Sequence, residues 1–175
     1  MALDVYGLTR HRDMATLNRF LDEYVDRAAN ADRGDEELML EPLDMPSAGT
    51  QWEWEWEPSL TLSHIVERGL AYPRRAFTSY FSCLPAYHQA GIERVILSFT
   101  RDKQLVLGLS VSIGRDEADD EADEARANEL LVHLAQAYQC HLGLILLEEP
   151  PPMSEAEFRQ AANTLPVIFF TSYDA

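Results

Sequence analysis

Four side chains in this sequence have the chemistry to hold a zinc ion: Cys83, His88, Cys140 and His141. Their spacings, C-x4-H and an adjacent C-H pair, lack the C-x2-4-C and H-x3-5-H repeats by which a chain closes a tetrahedral site. Cys140 and His141 also abut an apolar run, so all four are read as buried thiols and hydrogen-bonded histidines. Cys83 with His88, or Ser63 beside His64, pairs a nucleophile with a base. Acyl transfer further needs a group to orient the base and donors for the oxyanion, and no signature surrounds either pair. The eight glycines are scattered, and neither G-x-G-x-x-G nor G-x4-G-K-[ST] occurs. Glu41, Glu67 and Glu93 are isolated acids that specify no reaction. The chain is therefore expected to need no metal or cofactor and not to be an enzyme.

Charge carries more information. Against 14 Lys+Arg stand 30 Asp+Glu, a formal net of −16. The excess sits at the two ends of the chain: residues 1–57 hold 14 acids and 5 bases, 58–115 hold 3 and 7, and 116–175 hold 13 and 2. Seven carboxylates crowd the nine residues 116–124. Carboxylates at 116/120/123 or 117/121/124 share a helix face. Calcium loops, however, need a sharp Gly turn with alternating ligands, and carboxylate di-metal sites use a Glu-x-x-His pair from several helices. Neither pattern is present. Negative charge suits the first turn of a helix, each charge contributing about 0.3–1 kcal/mol, but seven exceed what a helix start needs. They remain available to a partner. Such a field repels nucleic acid and anionic membranes and steers toward basic proteins. The one mildly basic third contains Tyr72-Pro73-Arg74-Arg75, read as a surface turn that neutralises the acidic flanks rather than as an anion site.

Trp52-Glu53-Trp54-Glu55-Trp56-Glu57 alternates without a break. Period two places three indoles on one face of a strand and three carboxylates on the other. With the indoles in the core, the glutamates form an electrostatic surface. With the indoles exposed, the strand is an aromatic interface anchor.

The elements that must position these groups follow from periodicity. Leu17, Phe20, Leu21, Tyr24 and Val25 form one apolar stripe, predicting a helix around 10–29 capped by Asp13 or Thr9. A short strand at 37–41 ends at Pro42, and 42–49 is a loop. A helix from 61 buries Leu62, Ile65, Val66 and Leu70, and Pro73 interrupts it. Phe77, Tyr80, Phe81 and Leu84 repeat helically and predict a helix over 74–83, with a strand as the alternative that its aromatics allow. Alternation on both sides of 100–104 predicts an antiparallel hairpin over 93–113. A long helix over 117–139 and a doubly buried strand over 141–147 follow. Ser154 and Glu157 form a capping box for a short helix, and 167–171 is a last strand. The hairpin, long helix and strand make a ββαβ unit whose crossover strands are parallel. The expected fold is α+β, one domain over 1–175, with a mixed, mainly antiparallel sheet and helices mostly on one face.

At 46% hydrophobic residues the chain supports a packed core. No stretch approaches the roughly 20 apolar residues of a membrane span. Its amino terminus lacks a basic region followed by an apolar run, and it has two cysteines, so a reduced, cytoplasmic protein is expected. In being small, acidic, α+β and without catalytic motifs, the chain resembles bacterial toxin-immunity proteins. That resemblance implies an inhibitor that binds a basic protein, a cognate toxin, and covers an active site built for an anionic substrate. Partner binding is expected at Trp52, Glu53, Trp54, Glu55, Trp56, Glu57, Asp119, Asp120 and Asp123, with no binding of nucleic acid or membrane, in a monomer or small homo-oligomer. A second reading, from the ββαβ arrangement, is a ferredoxin-like regulatory domain that binds a small molecule.

Overall fold

Seven strands and five helices appear in the computed structural model, which describes residues 1–31, 37–42, 55–58, 61–71, 75–114 and 117–164. The strands are β1 (Ala2–Thr9), β2 (Glu37–Pro42), β3 (Glu55–Pro58), β4 (Arg75–Ser82), β5 (Ile92–Phe99), β6 (Leu105–Ser112) and β7 (Leu142–Leu147). The helices are α1 (Met14–Tyr24), α2 (Leu62–Ala71), α3 (Pro85–Gln89), α4 (Glu117–Tyr138) and α5 (Glu155–Thr164). The strands lie in the order β3-β2-β4-β5-β6-β1-β7, and every neighbouring pair is antiparallel. The chain is α+β.

The hairpin β5–β6 forms where alternation places it, around a turn in which the Gln104 N–H donates to Thr100 Oγ1 at 2.8 Å. The parallel relation expected of β6 and β7 holds only at one remove. β1 runs antiparallel to both and lies between them, so the contiguous ββαβ unit is replaced by one split around β1. The sequence reading gave residues 2–9 no element, yet they form the strand on which the sheet turns.

Strand β4 corrects the helix expected over 74–83. Phe77 and Phe81 point to one face, and the Phe77 ring lies 4.8 Å from that of Phe99, its cross-strand partner. Aromatic residues suit a pleated surface, and here cross-strand pairing prevails over the helical repeat. Helix α1 starts where Asp13 Oδ1 accepts the Thr16 N–H at 2.9 Å. It ends short of residue 29 because Val25 turns extended and bridges Cys83. Beyond it, Asn30 exchanges two hydrogen bonds with the Ser82 backbone, at 2.9 and 3.0 Å. The Ser154 cap holds, its Oγ accepting the Glu157 N–H at 3.2 Å, while the Glu157 carboxylate reaches back to the Met153 N–H.

One face of the sheet carries Val5, Val95, Leu97, Phe99, Leu105, Leu107 and Leu109, all fully buried beneath α1, α2 and α4. Burying each such side chain contributes about 1.5–3 kcal/mol. Helix α4 adds Ala127, Leu131, Leu134 and Tyr138. Among the described residues helix α5 alone crosses the opposite face, where Phe158 packs with Tyr6, Leu8, Ile96, Val106, Leu142, Leu144 and Leu146. Among the described residues, α1, α2 and α4 with Tyr87 of α3 on one face and α5 on the other match the expected lopsided layering.

Candidate functional site

The second face of the sheet changes character along its strands. From the α5 end outward, β1 presents Leu8, Tyr6 and Asp4, β6 presents Val106, Gly108 and Ser110, and β5 presents Ile96 and Arg94. Period-two alternation puts these residues on one face, and on each strand they pass from apolar to polar. The apolar half is covered by α5. The polar half forms a cleft of about 380 Å³.

Ala2, Asp4, Tyr6, Ile96 and Ser110 make its floor, all buried. Tyr80, Glu93, Arg94, Glu148, Glu149 and Pro150 make its rim, all exposed. The Tyr6 ring lies across β6 because residue 108 is glycine: a Cβ there would meet the ring at 2.8 Å. Its hydroxyl donates to the Glu149 carbonyl at 2.8 Å and ties the segment after β7 to the sheet. That segment departs through Glu148, whose φ of 51° lies in the left-handed region, a conformation that costs about 1 kcal/mol for an ordinary residue. The Glu148 N–H donates to Ala2 O at 3.2 Å, and its carboxylate lies 3.4 Å from the Met1 amino group.

Four carboxyl groups and one guanidinium line the cleft. Asp4 is the ionisable group of the floor besides the Tyr6 phenol. Desolvation pushes its pKa up, the Ser110 hydroxyl and Arg94 pull against that shift, and Glu148 and Glu93 add to it. Burial also drives the Tyr6 phenol far up, so it stays a neutral donor. The arrangement is a concave, negatively biased surface with one aromatic wall, suited to receiving a cationic group.

The sequence-chosen residues lie elsewhere. Glu55, Trp56 and Glu57 belong to β3, which pairs with β2 at the edge farthest in strand order from β7. Trp52, Glu53 and Trp54 lie outside the described residues. Asp119 and Asp120 fall in the opening turns of α4. Asp123, expected to face water, is 6% exposed and accepts the Gly114 N–H at 2.7 Å. It fastens the end of β6 to the helix, with Arg126 at 3.8 Å. The cleft residues were missed because β1 was missed. The available signal was the second-face column of each strand, apolar at one end and polar at the other.

Other polar clusters serve packing. Glu23 accepts from His133 Nε2 at 2.7 Å and from the Tyr138 hydroxyl at 2.5 Å, latching α1 to α4. Glu155 gathers Arg159, Gln104 and His141 at the start of α5. Cys140 is buried and its pKa is pushed up to about 12, and the Cys83 thiol donates to Ile92 O. Thiols so placed are poor nucleophiles. Among the described residues no three His, Cys, Asp or Glu side chains converge as metal donors, and no helix is long and apolar enough to cross a membrane. No family model, curated protein or solved structure matches the chain.

Proposed function

We propose that this protein is a cytoplasmic, acidic inhibitor of the toxin-immunity kind, which binds a basic protein and covers its active-site region. The observation that supports it best is the cleft on the open half of the sheet, where Asp4, Glu93, Glu148 and Glu149 outnumber Arg94. A toxin that acts on nucleic acid or a nucleotide presents basic side chains around its substrate site. A carboxylate-rimmed surface occupies that position in place of phosphate. A net charge of −16 extends the attraction beyond contact distance and raises the encounter rate, which suits an inhibitor that must act before damage accrues. The protein performs no chemistry in this reading. The sheet holds the carboxylates in place and the partner loses its site.

The test is affinity capture from the source strain, using the wild-type chain and a Glu93→Gln/Glu148→Gln/Glu149→Gln variant, with captured proteins identified by mass spectrometry and assayed for activity. The reading expects a basic protein that is held by wild type, released by salt, lost by the variant, and inactive while bound. Identical capture by both chains, or a bound partner that keeps its full activity, overturns it.

A further inference from the structure

We propose that the cavity between the start of α1 and the end of α4 binds the carboxylate of a small organic acid, with the Arg19 guanidinium as its cation. This goes beyond the inhibitor reading and does not rest on it. The cavity measures about 180 Å³. That is below the roughly 300–1,000 Å³ of a site that encloses a whole drug-sized ligand, so it takes the polar end of one. His11, Thr16 and Arg19 bring donors from the α1 side, and Gln139 brings an amide from the end of α4. Between them the Tyr138 ring forms a wall, and Ala15 and Ala137 are too small to fill the space. Among the described residues that line the cavity none is acidic, in a chain with 30 Asp+Glu against 14 Lys+Arg.

The donors are placed but unused. Arg19 lies 5.0 Å above the Tyr138 ring, and among the described residues it forms no ion pair or hydrogen bond. A cation–π contact fixes the guanidinium while consuming none of its five N–H donors. The side chains of His11 and Gln139 likewise have no hydrogen-bond partner among the described residues. The nearest acids are committed elsewhere. Asp13 accepts the Thr16 N–H at 2.9 Å and its hydroxyl at 3.3 Å, and Glu23 accepts from His133 and the Tyr138 hydroxyl. Gln139 has a φ of 53°, a conformation after a helix that glycine ordinarily fills; a glutamine there adds an amide to the cavity at a cost in backbone strain. The ligand chemistry follows from charge and shape. A planar guanidinium fork meets both oxygens of a carboxylate at once. The net charge of −16 opposes a dianion more strongly than a monoanion, which selects carboxylate over phosphate.

The experiment titrates the isotope-labelled full chain with propionate, neutral propionamide and ethyl phosphate at constant ionic strength, following backbone amides by NMR. The expected result is saturable propionate binding with shifts centred on residues 11, 16, 19 and 139, weaker ethyl phosphate binding, and no propionamide binding. Arg19→Gln weakens propionate binding about tenfold or more, the size of one charge-assisted hydrogen bond. Gln139→Gly weakens it as well while raising the melting temperature, because glycine takes the positive φ without strain; a merely structural Gln139 would leave binding unmoved. Equal binding of propionate and propionamide, or unchanged binding in the folded Arg19→Gln chain, overturns the site. Ethyl phosphate binding as tight as propionate overturns the choice of carboxylate. A basic protein captured by wild type but lost by Arg19→Gln would assign the seat to a carboxylate of that partner and overturn the small acid, while the inhibitor reading stands.

Discussion

Asp123 offers the sharpest check on how the acidic helix is built. Its carboxylate is 6% exposed and accepts the Gly114 N–H at 2.7 Å, closing the connection from β6 into α4. A hydrogen bond to a charged group contributes about 1.5–3 kcal/mol net. Gly114 is only half-buried, so water re-solvates its N–H once the carboxylate is gone, and Asp123→Ala should cost near the lower limit, about 1.5–2 kcal/mol. For a chain of this size each kcal/mol lowers the melting temperature by roughly 2–4 °C, giving a fall of about 3–8 °C. Glu121 and Glu124, exposed two residues before it and one after, provide the control, since each changed to alanine should stay within about 0.5 kcal/mol. Urea unfolding monitored by circular dichroism measures all three under the same conditions. If Asp123→Ala is no more costly than Glu124→Ala, the carboxylate is not fastening β6 to α4 and the burial argument fails.

Gly69→Ala should destabilise the protein by about 1–3 kcal/mol even though alanine is the better helix former by about 1 kcal/mol. The added methyl collides with the Phe99 ring, which is fully buried, tilted against Phe77 and covered by the Arg12 guanidinium; thermal unfolding measures it, and a gain in stability contradicts it. Glu155 is held at about 2, below the ordinary 4.5, first by Arg159 and then by Gln104 and His141. A depressed carboxylate stabilises the fold fully above its unfolded pKa and loses that contribution as pH falls from 4.5 toward 2. Its partial exposure reduces the effect to about 1 kcal/mol, and Glu155→Gln should flatten the acid limb of the stability curve across that window, an unaltered limb being the contrary result. Asp4→Asn should raise the melting temperature at pH 7, because burial lifts the Asp4 pKa and the folded state carries that charge at a cost; a lower melting temperature contradicts the burial argument.

Much of the layering was legible, and the reasons are local. The hairpin 93–113 declared itself because four alternating apolar positions on β6, Leu105, Leu107, Leu109 and Val111, pack one buried face. Helix α1 did so because its stripe and its Asp13 cap agree. The β4 segment misled because Phe77, Tyr80, Phe81 and Leu84 satisfy a helical spacing by coincidence, and only the cross-strand partner Phe99 decides between periods. β1 was overlooked because it is buried along its whole length and shows no clean polar–apolar alternation. With it went the split crossover and the cleft, which needs β1, β5 and β6 side by side. Composition indicated an acidic protein but not which carboxylates are gathered: Glu148 and Glu93 are 55 residues apart in sequence and share a rim through the sheet. Asp123 shows the converse, a carboxylate in the most charged stretch that turns inward.

The most direct measurement is stopped-flow association of the captured basic partner across a salt series, comparing wild type with two charge-reversal sets. One set is Glu93→Lys/Glu148→Lys/Glu149→Lys on the cleft rim, and the other is Glu53→Lys/Glu55→Lys/Glu57→Lys on the tryptophan–glutamate segment. Steering between exposed charges is screened beyond about 8 Å at physiological ionic strength. The account expects the rim set to slow association at least tenfold at low salt and to flatten the salt dependence, with the other set near wild type. A rim set that associates at the wild-type rate, while the tryptophan–glutamate set is slowed, would place the partner on the opposite edge of the sheet and contradict the account.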